Sequence, residues 1–462
     1  MKSRPAIPAG PYLVVGLARS GAAAALTLRA RGEQVIGLDT GSPPGTAALE
    51  AAGVDLFLDE EDGIALLDRV GAVVKSPGVP AETPVITAAR ERRITVLGEL
   101  ELAWRLLANA FVAVTGTNGK TTTVELIGHI HREAGLPVAV AGNVGTALSS
   151  LIGELGSEAT VVCEASSFQL EDTLEFAPEA AVLLNITPDH LDRHGTLEAY
   201  AAAKLEAFAR QREDDVAVFP ADLGERIGWA GAPAIPGQAR RVEFGWEPHA
   251  ALFELDGELW WRGGALVALE QIRLRGRHNV ENAMAAAAVC LARGIAPAAV
   301  GAGLVSFPGV AYRLEELAEL GGVLYVNDSK ATNVASTLVA LEAFAGRPLH
   351  LILGGRGKGQ DFTSLREPVA RACAGVYLIG EDAASIATAL ANIAPTVLEC
   401  GELQRAIAAA TEAAACDPDS IGRPGEEGPV VLLSPACASF DQFADFEARG
   451  ERFRELVEKL QG

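Results

Sequence analysis

Positive charge is scarce in this chain: 38 Lys and Arg stand against 60 Asp and Glu over 462 residues, a formal net charge of −22. A surface of that sign repels phosphate backbones and anionic lipid, which excludes nucleic acid as a general partner. A small anionic ligand stays compatible, because a few backbone amides and one Lys or Arg hold a phosphate locally. Cysteine is sparse as well. Cys163, Cys290, Cys373, Cys400, Cys416 and Cys437 are scattered, mostly in apolar stretches, with no C-x-x-C pair, a usage that fits reduced, buried thiols rather than a disulfide framework. Apolar runs of about 18 residues are also missing, and Arg19 breaks the first apolar stretch. The expectation is therefore a cytoplasmic protein with no membrane insertion and no secretory signal.

What the chain does have is a globular composition, 49% hydrophobic and 21% charged, in a length that suits roughly three domains. It opens on the apolar run Tyr12 to Val15, then Gly16-Leu17-Ala18-Arg19-Ser20-Gly21, then an Ala-rich helical stretch. A second strand pattern, Gln34 to Leu38, ends on Asp39. This is the strand, turn and helix of a nucleotide-binding βαβ unit, in which an acid after the second strand reaches sugar hydroxyls. The dinucleotide pattern wants glycine at Ala18, however, and taken alone the stretch reads more readily as an ordinary α/β turn. A later strand pattern, Ala72 to Lys75, runs into Ser76-Pro77-Gly78.

The strand pattern Phe111 to Val114 leads into Thr115-Gly116-Thr117-Asn118-Gly119-Lys120-Thr121-Thr122 and an amphipathic helix. Glycines let the amides turn inward as an anion nest, Lys120 adds a point charge on outer phosphates, and the Thr121 hydroxyl suits magnesium. The full P-loop pattern has its first glycine where this chain has Val114, so the loop is a variant. Two further strand patterns end on Glu164 and on Asn185-Ile186-Thr187-Pro188-Asp189-His190. In open parallel sheets, ligands bind beyond the carboxyl ends of strands, which puts Glu164 and His190 on the edge of the phosphate loop. A capping acid and a hydrogen-bonded loop histidine are the plain alternatives. Lys204 falls inside the apolar stripe of Leu197, Tyr200, Ala201, Leu205 and Phe208; a lysine there either snorkels or does chemistry. Strands and helices are expected to alternate to about residue 305. A third α/β alternation follows, with polar clusters at Asn327 to Asn333, Gly354 to Lys358 and Ser434 to Ser439.

The strings TGTNGKTTT, EASSFQL, NITPDHLDRH, YAAAKLEAF, LRGRHNVEN, FPGVAYR, NDSKATN, LGGRGKGQDF and LLSPACASFDQF, in that order, resemble those of the Mur ligases, ATP-dependent amide-forming enzymes of cell-wall precursor synthesis. The resemblance implies a three-domain α/β fold: residues 1–98 for the UDP end of the substrate, a central P-loop ATPase-type domain over 99–307, and a Rossmann-like domain over 308–462 for D-glutamate. It implies UDP-N-acetylmuramoyl-L-alanine and D-glutamate as substrates, ATP and two magnesium ions, and a monomer. The implied ATP contacts are Gly116, Thr117, Asn118, Gly119, Lys120, Thr121, Thr122, Asn282, Arg313, Asp328 and Lys330. The implied UDP-substrate contacts are Gly16, Ala18, Ser20, Asp39, Thr40, Ser76, Gly78 and Asn143, with Asp39 and Thr40 near the uracil. D-glutamate falls to Thr332, Lys358, Ser439 and Phe446. The metal ligands would be Thr121, Glu164, His190 and Lys204, the last as a carbamate; Lys120, Glu164, His190 and Lys204 would be catalytic. On this reading the first domain does not take NAD, and Ala18 is no obstacle. Tyr312 and Phe440 stand where relatives often have His and Leu. A sister ligase for another amino acid, a folylpolyglutamate synthase and a catalytically silent nucleotide-binding regulator are the competing readings.

Overall fold

Runs such as Tyr12-Leu13-Val14-Val15 and Phe111-Val112-Ala113-Val114-Thr115 are apolar without alternation and buried throughout, the signature of parallel strands covered on both faces. The computed structural model describes residues 2–60, 62–227, 235–357, 359–416 and 428–461. The chain divides into two compact units, residues 1–272 with 278–307, and residues 273–277 with 308–462.

The first unit holds two sheets. One contains β1 (Tyr12–Val15), β2 (Val35–Leu38), β3 (Asp55–Phe57), β4 (Ala72–Lys75) and β5 (Thr95–Gly98) in the parallel order β3-β2-β1-β4-β5. Separate apolar clusters pack its two faces, one around Tyr12, Val14 and Leu28, the other around Leu13, Val73 and Ile86. The second sheet contains β6 (Phe111–Thr115), β7 (Val138–Gly142), β8 (Thr160–Glu164), β9 (Ala180–Leu183), β10 (Val216–Pro220), β11 (Arg240–Gly245), β12 (Leu252–Leu255), β13 (Glu258–Trp261) and β14 (Gly264–Ala268). Its order is β14-β13-β12-β11-β10-β9-β6-β8-β7. Because β9, β6 and β8 are parallel neighbours, the loops after all three leave the same edge, and the phosphate loop is the middle one.

The expected alternation of strand and helix fails between residues 240 and 271. β12, β13 and β14 pair antiparallel through two-residue turns at Asp256-Gly257 and Arg262-Gly263, each with both φ angles positive. Both residues of such a turn must adopt left-handed backbone, which is why Asp-Gly between apolar runs marks a hairpin. That signal stood in the sequence and outranked the helix period.

The second unit carries β15 (Glu315–Leu320), β16 (Val323–Asn327), β17 (Leu349–Gly354), β18 (Cys373–Ile379), β19 (Thr396–Gly401) and β20 (Val430–Leu433), in the order β15-β16-β20-β17-β18-β19. Only β15 runs antiparallel, paired with β16. The loops after β16, β20 and β17 therefore share one edge. Among the described residues no helix is long and apolar enough to cross a membrane, and the cysteines are free thiols, Cys416 exposed and Cys373 half-buried while the other four are buried.

Candidate active site

The phosphate loop connects β6 to the helix Lys120–Glu133, whose first turn begins after Gly119. Gly119 has φ +85, and a Cβ built there would lie 2.2 Å from Asn282 Oδ1. Only glycine both adopts this backbone and admits that amide. The Asn282 side chain, buried, is thus seated against the loop, as the sequence expected. The loop is further held by Asn185, which sequence reasoning did not assign. Its carbonyl accepts from Thr117 N at 3.0 Å, its Oδ1 accepts from Asn118 N at 2.9 Å, and its Nδ2 donates to Asn118 O at 3.2 Å. A polar residue just beyond a buried strand was the available signal. The Thr117 hydroxyl accepts from Thr187 N and from Tyr200 OH at 3.0 and 3.2 Å. Lys120 Nζ folds over the loop, donating to the carbonyls of Gly116 and Thr117, each at 2.8 Å; Thr122 is buried in the helix. Beside the loop lies a cavity of about 50 Å³ lined in part by Asn118, Gly119, Asn185, Phe244, His278 and Asn282.

Glu164, at the end of β8, is 3% exposed. Its Oε2 accepts from the Thr121 hydroxyl at 2.8 Å and its Oε1 from Asn143 Nδ2 at 3.0 Å. A buried carboxylate flanked by a hydroxyl is a hard-oxygen donor set, the kind magnesium takes in company with phosphates and water. Among the described residues no group of three or more His, Cys, Asp or Glu is placed to hold a metal ion. Lys204 lies on the helix Leu197–Ala209, 1% exposed. Its Nζ donates to Gly116 O at 2.8 Å and sits 4.3 Å from the Tyr200 ring centroid. Burial, then the like charge of Lys120, push its pKa down to about 7, against the attraction of Asp189. The inward phase read from the apolar stripe is what the fold contains. His190 is about half exposed, has φ +50, and lies 6.4 Å ring to ring from Tyr200. It therefore stands beside the loop's Tyr200–Thr117 bond rather than on Glu164.

Beyond the carboxyl ends of β1, β2 and β4 is a cleft of about 280 Å³. Gly16, Ala18, Asp39, Thr40, Ser76 and Gly78 all line it, together with Glu60, Val79 and Pro80. Ser20 and Asn143 lie outside that lining. Asp39 also shapes the turn beside the cleft: its Oδ2 accepts from Leu17 N at 2.6 Å and its Oδ1 from Gly41 N at 3.0 Å, and each carboxylate oxygen keeps a further acceptor site.

Arg313, Asp328, Lys330, Thr332, Ser439 and Phe446 belong to the second unit. Asp328 accepts from Leu314 N and from the Ser434 hydroxyl, at 3.2 and 2.7 Å, and burial raises its carboxyl to about 7. Lys330 Nζ lies 4.8 Å from the Phe446 ring centroid, and Tyr312 meets the same ring edge-on at 6.2 Å. Thr332 N donates to Lys330 O at 2.8 Å, and Ser439 is buried. Lys358 lies outside the described residues. Sequence reasoning missed Arg449, 1% exposed, whose guanidinium donates to Ser329 O at 2.8 Å and Cys437 O at 3.1 Å. It ties together the loops after β16 and β20; on a helix rich in charge, its inward phase is invisible without the packing.

Three family models cover most of the chain: "Mur ligase MurD-like, N-terminal domain" over residues 11–98, "Mur ligase middle domain" over 114–290 and "Mur ligase, glutamate ligase domain" over 312–437. The UDP-N-acetylmuramoylalanine–D-glutamate ligase of Anaeromyxobacter dehalogenans is 44% identical, covering 96% of each chain. That of Pelotomaculum thermopropionicum is 40% identical, covering 97% of each. Among solved structures, MurF of Acinetobacter baumannii matches with a TM-score of 0.58 at 18% identity, over 97% of this chain and 93% of that one. A folylpolyglutamate synthase of Mycobacterium tuberculosis matches with a TM-score of 0.56 at 16% identity, over 75% and 92%. At such identities these structures share the fold alone.

Proposed function

The chain belongs to the Mur ligase family, and on that premise we propose that it joins the free carboxylate of UDP-N-acetylmuramoyl-L-alanine to the amine of D-glutamate, driven by ATP, in peptidoglycan precursor synthesis. Residues 1–98 bind the UDP end, 99–307 bind ATP, and 308–462 bind D-glutamate. The observation that carries this reading is the convergence of Thr121, Glu164 and Asn143 on one buried point behind a glycine loop, in a chain near 40% identical over nearly its whole length to D-glutamate-adding ligases.

A carboxylate is a poor electrophile toward an amine. Its oxygen first attacks the γ-phosphorus of ATP, the bond to the ADP oxygen breaks, and an acyl phosphate results. Lys120 has the reach and charge to leave the carbonyls of Gly116 and Thr117 for phosphate oxygens, which are stronger acceptors. Gly119 and the helix N-terminus behind it supply amides and a partial positive charge. Magnesium, one ion held by Thr121 and Glu164 and a second by His190, with a carbamylated Lys204 as a further ligand, would neutralise charge on the outer phosphates. The D-glutamate amine then attacks the acyl carbon, the tetrahedral adduct expels phosphate, and the nitrogen loses a proton. Thr332, Ser439, Lys358 and the ring of Phe446 hold D-glutamate; Arg313, Asp328, Lys330 and Asn282 contact the nucleotide. Gly16, Ala18, Ser20, Asp39, Thr40, Ser76 and Gly78 face the UDP moiety, and Asn143 the muramoyl-alanine.

For Lys204, support comes from its surroundings. A carbamate forms only from the neutral amine, which burial favours, and the carbamate nitrogen retains one N–H for Gly116 O. The test of the function is phosphate release from ATP with UDP-N-acetylmuramoyl-L-alanine and D-glutamate, L-glutamate, glycine, L-lysine or meso-diaminopimelate in turn. Release with D-glutamate alone, with a product one glutamyl heavier, is expected. Release with another amino acid assigns the chain to a sister activity, and no release with any refutes catalysis.

A further inference from the structure

The cation-rich seam between the first two sheets contains one side chain that touches both the UDP-facing cleft and the turn bearing His190. Arg193 lies in the short helix Leu191–His194, immediately after His190. Its Nη1 donates to Pro77 O at 3.2 Å, its Nη2 donates to Val79 O at 3.1 Å, and Nη2 also pairs with Glu171 Oε1. Val79 lines the first cleft with its neighbours Gly78 and Pro80. The same Val79 carbonyl accepts from Lys75 Nζ at 2.8 Å, and that fully buried ammonium lies 2.7 Å from Asp172. The cleft wall at 77–79 is thus fixed from behind by two cations, one of which belongs to the other sheet's loop.

From Arg193 the contacts continue to the histidines. The guanidinium carbon sits 4.5 Å from the Phe168 ring centroid. Phe168 in turn meets the His190 ring at 4.8 Å and stacks on His194 at 5.4 Å, and His194 Nε2 is 3.0 Å from Ser167 Oγ. His190 holds left-handed backbone, which a non-glycine residue keeps only when its surroundings impose it. We propose that Arg193 is a positioning residue that makes the placement of His190 depend on occupancy of the first cleft. A ligand that favours one arrangement of residues 77–79 thereby favours one arrangement of the His190 turn, because the planar fork that bonds Pro77 O and Val79 O is carried on a residue whose own backbone N–H donates to His190 O at 3.1 Å. The proposal rests on the first cleft taking the UDP moiety and on His190 serving the chemistry.

The experiment uses the full chain and UDP alone as probe. Calorimetry reports whether UDP binds; amide hydrogen exchange over residues 187–196, with and without UDP, reports the coupling; turnover is measured with all substrates. In the wild type, UDP is expected to bind and to slow exchange in that segment. Arg193→Ala and Arg193→Lys are expected to bind UDP within a few-fold of wild type yet lose the protection, with kcat reduced roughly tenfold or more and KM for the UDP substrate little changed. Glu171→Gln, which keeps the side-chain shape, should give an intermediate loss and serves if the Arg193 variants fail to fold. UDP binding without protection in the wild type, or equal protection in the variants, overturns the coupling. Failure of UDP to bind the wild type overturns the assignment of the cleft itself, and the coupling with it.

Discussion

Lys204 Nζ donates to the carbonyl of Gly116 at 2.8 Å, so a buried ammonium and the first residue of the phosphate loop are joined across two elements of the central sheet. An ordinary lysine is neutral in only about one molecule in 2,500 at pH 7. With its pKa pushed down to about 7 by burial and Lys120, about half of the Lys204 amine is neutral there.

Incubation with ¹³C-bicarbonate is therefore expected to give a carbamate carbon signal that grows as pH rises through 7 and is missing in Lys204→Ala. That variant should lose most activity and recover part of it with added short carboxylic acids. Full activity without any carbamate signal would refute the role.

Gly119→Ala should weaken nucleotide binding while sparing the fold elsewhere. The added Cβ meets Asn282 Oδ1 at 2.2 Å and the backbone holds φ +85, so loop or amide must move. Titration with a fluorescent ATP analogue is expected to show at least a tenfold loss of affinity, roughly the 1.4 kcal/mol that a modest displacement of the loop costs. Wild-type affinity would mean the amide is not part of the nucleotide site.

Asp39 tests the first cleft. Asp39→Ala leaves Leu17 N and Gly41 N without their acceptor, a loss of about 1–3 kcal/mol for buried donors, and the loosened turn should weaken UDP binding. Asp39→Asn keeps one acceptor and should fall between. Calorimetric affinity for UDP, read beside the melting temperature, separates the two effects; a lower melting temperature with unchanged UDP affinity would detach Asp39 from the site.

Asp328 sets a pH dependence for the second unit. Its carboxyl is raised to about 7 in the folded state, chiefly by burial, against about 3.9 unfolded. Between those values the folded state holds the extra proton, so this group's contribution is fully present below about pH 4 and is lost as pH rises to 7. Asp328→Asn should therefore gain stability relative to wild type as pH rises from 5 to 8, measured by denaturant unfolding. A difference independent of pH would show that the carboxyl is ionised throughout.

Much of the site was legible because its residues sit at fixed places relative to buried strands. Glu164, Asn185 and Asp328 each end or follow an apolar run, and the edge of a parallel sheet is where such residues gather. Lys204 was legible from phase alone, since a lysine inside an apolar helical stripe must point inward. Arg193 and Arg449 were not. Each lies among other charges on a short or polar helix, where period gives no direction, and their acceptors are carbonyls of distant loops. The hairpins of β12 to β14 were missed for a different reason: the turn dipeptides were present, but the expectation of alternation was given more weight.

By itself, the sequence determined which segments form buried parallel strands, that a glycine loop with Lys120 and Thr121 opens a helix, and that Lys204 faces a core. These follow from local spacing, which neighbouring residues enforce on one another. Tertiary structure alone decided that Thr121 and Asn143 meet on Glu164, that Asn282 closes against Gly119, that Asp39 accepts from Leu17 N, and that Arg193 bridges two sheets. Each of those contacts joins residues well apart in the chain. The strand order of the sheets and the packing of side chains at their edges set such distances, and no repeat or spacing in the sequence encodes them.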